Sequence, residues 1–380
     1  MALPDEILEE IFLRLTAPAD LARASAACVS FRGVITGHPF LRRFRTLHPP
    51  PLLGILCDGL IPAQPPHPSA AAAATLADAD FSCSFLPPSR DRWCRLDGRD
   101  GRALFTPRLQ GSGVVRDGTY DAWDLVTEFA VCDPLHRRYL LLPVLPDHLA
   151  RQVHSPEILE CEPFLAPPGD EEDSSFRDFG VMSLVWCTTK LVLFVFSSCA
   201  GRWLAQPITF DVYGSAGLAR YYANGCFCWP SYHDDDDAQM LLLLDARRME
   251  FSVVKLPPPP LWQVAIVEAG QGRLGMLTVD LTKRDAQRLL YAVHSQDGNG
   301  ADQWQSRPVV PLPENYHYCI SGVAGGYLLL TGFPKENRPT VDYFTLDLQT
   351  FQVEWFCETG DYPNGHLYAD LPPSLSPPTL

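Results

Sequence analysis

The chain has little clustered positive charge, no long apolar run and no Cys-x-x-Cys pair of the kind that marks many metal or redox sites. Its formal net charge is -15 over 380 residues, and a surface built for phosphate needs grouped Lys and Arg. A nucleic-acid partner is therefore not expected, and the one basic run, Arg42 to Arg45, reads as a solvated helix face. The most apolar window, Val181 to Phe196, carries Lys190 and is shorter than the roughly 20 residues that a membrane helix requires. No membrane span is expected. There is no Asn-x-Ser/Thr acceptor, no Cys-x-x-Cys pair, and no leader-like stretch ahead of the first acidic helix; the twelve cysteines are irregularly spaced. Reduced thiols and a cytoplasmic or nuclear location are the expectation. Ser112 lies in Gly-Ser-Gly rather than in a Gly-x-Ser-x-Gly elbow, so no hydrolytic nucleophile is expected and no catalytic residue is named.

What is present begins with "LPDEILEEIFLRL", Leu3 to Leu15. At about 100° per residue, Ile7, Leu8, Ile11, Phe12 and Leu15 fall within an arc of roughly 140°, with Glu6, Glu9, Glu10 and Arg14 outside it. Pro4 suits the first turn and the acidic residues suit the positive end of this amphipathic helix. Leu13 lies off the stripe, which points to contact on a second side. Asp20 is placed to cap a second helix through Leu21, Ala24 and Cys28, and a third short helix runs through Phe31, Arg32 and Ile35 to Gly37. Pro39 then starts another turn through Phe40 and Phe44. Three short helices make a poor core by themselves. On pattern alone they are either a cap on the following domain or half of an interface with another protein.

The residues themselves favour the interface. "LPDEILEEIFLRL", "DLARASAACVSFRGVI" and "HPFLRRF" resemble the F-box motif throughout its length, in the order Leu-Pro-Asp-Glu, helix, Cys-x-x-Phe-Arg-x-x-Ile, His-Pro-Phe. The resemblance implies a domain at 1–47 that docks on the Skp-type adaptor of a cullin-RING ubiquitin ligase. It implies that Leu3, Pro4, Ile7, Leu8, Ile11 and Leu15 supply adaptor contacts or hold the helices that make them, with Leu21, Cys28, Val29, Phe31 and Ile35 completing the motif. Phe31 stands where many members carry Trp and keeps an aromatic anchor.

Residues 48–80 read as a Pro/Ala-rich linker with a possible strand at Leu52 to Leu56, and the five-Ala run within it as loop. Beyond it helical patterns vanish and a repeat appears. Glycines ahead of apolar strands recur at Gly180, Gly225, Gly272 and Gly326, separated by 45, 47 and 54 residues. Second markers at Val192, Leu241, Leu289 and Tyr343 keep step, separated by 49, 48 and 54. An upstream copy starts at Gly101, with its second element from Thr127. Repeats of roughly 40 to 50 residues built of short strands are the pattern of β-propeller blades, with Asp133-Pro134 and Asp297-Gly298 at hairpins. The expected fold is thus a small all-α domain followed by an all-β domain at 81–370, a β-propeller of about six blades, and a tail at 371–380. A large β-sandwich is the competing arrangement. The phrases "VCDPLHRRYLLLP" and "EAGQGRLGML" following an F-box resemble plant F-box proteins with an F-box-associated or kelch-like propeller.

Other signals have plainer explanations. "GQGRLG" at Gly270 to Gly275 has dinucleotide-binding spacing but precedes a strand, "MLTVDL", where that motif needs a helix. Cys226 and Cys228 share a strand face beside Asp234 to Asp237, yet a closed zinc site needs four ligands and a calcium loop needs spaced ligands and a glycine. No metal or cofactor is expected. Ser174 and Ser175 lie in an acidic segment open to an acid-directed kinase. The reading for function is a non-catalytic substrate receptor of a ubiquitin ligase; a propeller enzyme or sugar-binding protein with a helical cap is the alternative. Target-binding loops are sought at Arg90 to Arg102, His233 to Asp237 and Asn364 to Tyr368.

Overall fold

The N-terminal helices are α1 (Asp5–Phe12), α2 (Pro18–Ala27), α3 (Val29–Ile35) and α4 (His38–Leu47). The computed structural model describes residues 3–15, 18–48, 50–88, 92–108, 128–153, 158–167, 179–204, 207–211, 219–232, 239–257, 263–280, 287–296, 302–336, 338–360, 365–370 and 380. Ser112, Ser174, Ser175, the His233–Asp237 segment and the Asp297-Gly298 hairpin lie outside them. The turn expected from Pro39 is a full fourth helix, because Phe40, Leu41 and Phe44 fall on one face and all are buried. Asp20 lies inside α2, not at its cap, since Pro18 already starts the helix. Cys28 caps α3, its Sγ accepting from the Phe31 amide at 3.4 Å.

The stretch expected to be a linker carries β1 (Leu52–Leu56), β2 (Leu60–Pro62) and α5 (Ala70–Ala74). The five-Ala run is helical where a loop was expected. Five residues cannot hold a helix alone, but Ala73 is buried in one cluster with Leu53, Leu76 and Phe81, and that packing supplies the stability.

Six sheets form a six-bladed β-propeller. Blade 1 is β3 (Arg92–Arg99), β4 (Arg102–Arg108), β5 (Phe129–Asp133) and β6 (Arg138–Leu142), followed by a short helix α6 (Asp147–Ala150). Blade 2 is β7 (Ile158–Ala166), β8 (Gly180–Cys187) and β9 (Lys190–Ser197), with β10 (Arg202–Trp203) and β11 (Ile208–Asp211) both pairing with β9. Blade 3 is β12 (Tyr221–Ala223), β13 (Cys226–Tyr232), β14 (Gln239–Asp245) and β15 (Glu250–Lys255). Blade 4 is β16 (Val264–Glu268), β17 (Leu274–Val279) and β18 (Arg288–Gln296), with β19 (Asp302–Ser306) and β20 (Val310–Pro311) on its outer edge. Blade 5 is β21 (Tyr316–Ala324), β22 (Tyr327–Pro334), β23 (Val341–Asp347) and β24 (Val353–Thr359). Blade 6 joins the two ends of the domain: β25 (His366–Ala369) pairs antiparallel with β1, which pairs with β2.

Stacked blades bury both faces of their middle strands, which therefore read as continuous apolar runs rather than alternating ones. β5 and β17 are buried throughout, whereas the outer strand β6 is exposed at four of its five positions. The glycine markers fall at or just before the second strand of each blade and the companion markers in the third. Asn224-Gly225 shows why: both residues have positive φ (51° and 77°) in the two-residue turn between Ala223 and Cys226. That geometry matches strand twist in a tight hairpin, and Asn-Gly adopts it at low cost. Asp100-Gly101 and Gly325-Gly326 form the same turn in blades 1 and 5.

Strand direction fixes the two faces of the ring. Leu52, just past α4, pairs with Ala369, and the Gly325 turn packs beside Pro50 and Ala369. The first-to-second and third-to-fourth turns therefore open on the face that carries the helices. The second-to-third connections, and those leading into the next blade, open on the opposite face.

Buried His67 ties the 63–70 segment to blade 5. Its Nδ1 accepts from the Ser69 amide at 3.1 Å and its Nε2 lies 3.0 Å from Thr345 Oγ1, with the exposed Glu354 at 3.8 Å. Burial lowers its pKa from 6.5 to about 4. The unfolded chain thus binds more protons between those values, so the stability held by neutral His67 is complete above pH 6.5 and is lost as pH falls toward 4, by about 3 kcal/mol. A His67→Gln variant is expected to lose less melting temperature than the wild type between pH 7 and pH 4.5; equal losses would remove His67 as the titrating group.

Candidate functional site

The apolar stripe of α1 is divided lengthwise. Leu8 and Phe12 turn inward and join Leu13, Leu21, Ile35, Phe40, Leu41 and Phe44 in the helical core, where Phe31 meets Phe12 edge to face at 5.1 Å. Ile7 and Ile11, one turn apart on the other half, stay 48% and 45% exposed, Leu3 ahead of the helix 53%, and Val29 at the start of α3 87%. Each large aliphatic side chain left in water forgoes roughly 1.5 to 3 kcal/mol of burial.

The eleven residues singled out in the sequence therefore separate into three sets. Leu8, Leu21 and Ile35 are buried and hold the helices. Leu15 and Phe31 are half-buried against the same core. Leu3, Pro4, Ile7, Ile11, Cys28 and Val29 are exposed. Pro4 accepts the Ile7 and Leu8 amides at 3.1 Å, which starts the helix with Ile7 outward. Leu13, off the stripe, is buried, and its carbonyl lies 2.8 Å from the His48 ring.

Two contacts have no signal in the sequence. Arg43 reaches from α4 to Glu9 at 2.6 Å and Glu10 at 2.9 Å, fastening α4 to the acidic side of α1; exposed pairs of this kind contribute little. Arg45 reaches the buried Asp370, just past β25, at 2.8 Å. Within the run Arg42 to Arg45, expected as a solvated face, Arg43 is exposed whereas Arg45 anchors the helices to the propeller.

At the propeller axis a charged network joins blades 1, 2, 3 and 6. Asp97 of β3 meets Arg220 at 2.9 Å and accepts the Leu165 amide at 2.8 Å. Arg220 also pairs with Glu162 of β7 and lies 4.3 Å from the Phe164 ring centre. Trp229 Nε1 donates to Glu162 at 2.8 Å, and the His366 ring lies 3.7 Å from Asp97. Burial acts to raise the Asp97 carboxyl, but Arg220, His366, Arg99 and the Leu165 amide outweigh it and hold the pKa below its ordinary value. Burial lowers His366 despite Asp97. Glu160 is raised by burial and by Glu162.

Cys226 and Cys228 lie on β13, where Cys228 is fully buried in the apolar core and burial pushes its thiol up. Burial likewise pushes the Cys357 thiol up to about 12, so both stay protonated at neutral pH. Among the described residues no three His, Cys, Asp or Glu side chains gather as a metal site, and no described helix is long and apolar enough to cross a membrane. The Gly270–Gly275 stretch is the β16–β17 hairpin, with positive φ at Gly270, Gln271 and Gly272 and a strand on each side.

Two of the three segments considered for target binding are partly described. Arg92 to Arg102 runs through blade 1 from the far face to the helix face, His366 to Tyr368 is the inner strand of blade 6, and 233–237 and 364 lie outside the described residues. A cleft of about 480 Å³ opens beside β6, lined by Arg137, Arg138, Tyr139, Leu140, Phe179 and Ser198, with Leu380 also at its wall.

An F-box-like family model matches residues 1–47. No curated protein matches the chain. Among solved structures it is similar to the β-propeller domain of the Trilobed protease from Pyrococcus furiosus, at 7% identity and a TM-score of 0.36, covering 69% of this chain and 70% of that one. Prolyl oligopeptidase B from Galerina marginata matches at 14% identity and 0.35, over 84% of this chain and 42% of that one. An exo-β-1,3-galactanase from Phanerochaete chrysosporium matches at 7% identity and 0.35, over 69% and 62%. At TM-scores this low, none of these likenesses bears on what the chain does.

Proposed function

We propose that the chain is the substrate-recognition subunit of a Skp-cullin-F-box ubiquitin ligase, of the plant type with an F-box-associated or kelch-like propeller. The observation that carries this is the divided stripe: within a segment matched by the F-box-like model, Leu3, Ile7, Ile11 and Val29 are left in water while their neighbours close the helical core. A cap folded onto its own propeller would bury that half as well. In this reading Leu3, Pro4, Ile7, Ile11, Cys28 and Val29 meet the adaptor, Leu8, Leu21 and Ile35 hold the helices, and Leu15 and Phe31 sit at the border. The propeller holds a target protein on the face away from the helices. Catalysis of bond formation belongs to the ubiquitin-charged enzyme, and the receptor contributes by raising the local concentration of target lysines.

Capture of the full-length chain on an immobilised Skp-type adaptor, beside a chain lacking residues 1–47, tests this. Binding by the full chain and none by the shortened one is the expected result. A folded full-length chain that fails to bind would instead make the helices a cap.

A further inference from the structure

Only four of the thirty cationic residues are lysines: Lys190, Lys255, Lys283 and Lys335. The remaining cations are arginines, and no lysine precedes residue 190, so the F-box and all of blade 1 lack one. Arg retains positive charge but carries no amine that accepts an acyl group under these conditions, whereas Lys does. The positions are as informative as the number. Lys190 opens β9, the third strand of blade 2, directly after the connection from β8. Lys255 closes β15, opposite Met240 near the start of β14. Lys335 follows the end of β22. All three ends lie on the face remote from the helices; Lys255 and Lys335 are exposed and Lys190 is half-exposed. Lys283 lies between β17 and β18 in sequence, outside the described residues. On the helix face the exposed turn cations are arginines, such as Arg247 and Arg248 between β14 and β15.

We propose that ubiquitin transfer onto the lysines of this chain is confined to the face remote from the F-box, at Lys190, Lys255 and Lys335, and that the F-box half offers no lysine to it. The inference rests on the ligase reading above. In the transfer, the lysine ε-amine attacks the thioester joining the C-terminal glycine of ubiquitin to the cysteine of the conjugating enzyme. The new C–N bond forms as the C–S bond breaks, and the departing thiolate takes up the proton that the amine releases. The charged enzyme must reach amines of a target held on the remote face, so that face is also where the chain's own amines come within reach. An F-box half whose Lys/Arg cations are all arginines keeps the adaptor surface free of lysine modification while the remote face remains open to it.

The test uses the full-length chain with adaptor, cullin-RING module, conjugating enzyme, ubiquitin and ATP, with Gly-Gly remnants mapped by mass spectrometry. Remnants on Lys190, Lys255 and Lys335, and at least a tenfold loss of conjugates in a variant with all four lysines changed to Arg, are expected. Adding R247K and R248K to that variant places amines on the helix face and is expected to restore nothing. Persistent conjugation of the four-Arg variant, restoration by R247K and R248K, or an adaptor-bound wild-type chain that is never modified would each overturn the confinement. Failure of the folded wild-type chain to capture adaptor in the same assay overturns the ligase reading, and this inference with it.

Discussion

The Ile7→Asp/Ile11→Asp protein is expected to bind the Skp-type adaptor at least about 100-fold more weakly than wild type, while keeping its β-sheet signal and melting temperature. Two aliphatic side chains entering an interface contribute roughly 1.5 to 3 kcal/mol each, and an aspartate buried there without a partner adds a further cost. Neither residue supports the fold, since both are nearly half exposed in the free chain. That separates them from Leu15, which shares their arc in the sequence but packs against the helical core; an aspartate there would confound binding with folding. Adaptor titration of the variant by calorimetry, with circular dichroism as the control, decides the matter. Unchanged affinity would remove the exposed stripe from the interface, and loss of the sheet signal would make it part of the internal core.

The second large effect is on stability. Arg220→Met leaves Asp97 and Glu162 facing one another at the axis without their shared cation, and Asp97 is almost wholly buried. Removing one partner of a buried ion pair costs about 3 to 5 kcal/mol, which lowers the melting temperature by roughly 5 to 8 °C in a domain of about 290 residues. Arg220→Met with Asp97→Asn removes the stranded charge and is expected to recover part of the loss, as coupled neighbours do. Additive losses in a double-mutant cycle would show that the network contributes no coupling.

The helical domain was legible because its determinants are contiguous: one stripe, one Cys-x-x-Phe-Arg phrase and one Pro-Phe turn lie within 47 residues. The blades were legible through turns, since Gly225, Gly272 and Gly326 take positive φ ahead of second strands. A further turn signal recurs in the sequence at a fixed offset. Asp133, Asp245 and Asp347 each accept backbone amides in the third-to-fourth turn, and Arg137, Met249 and Phe351, four residues on, each take positive φ. Ser197 and Gly201 repeat the arrangement in blade 2. Pairs such as Arg45 with Asp370, or Asp97 with Arg220, were not legible, because they exist only once the ring has brought distant strands together. The same holds for α5, whose helix depends on the blade beneath it, and for the division of the α1 stripe, which only the packed core reveals.

The pairing of β1 with β25 gives the protein a fixed order of assembly on the ribosome. The F-box helices are complete when the first 50 residues have emerged, but blade 6 lacks its inner strand until His366–Ala369 are made. At about 5 to 20 residues per second that interval is roughly 15 to 60 s. Throughout it, the nascent chain carries finished helices, and under the proposed function a finished adaptor-docking surface, on an open ring. Under the proposed function, a message cut short before the codons for His366–Ala369 would yield a protein that occupies adaptor without a closed propeller to hold a target, and so would compete with intact receptors.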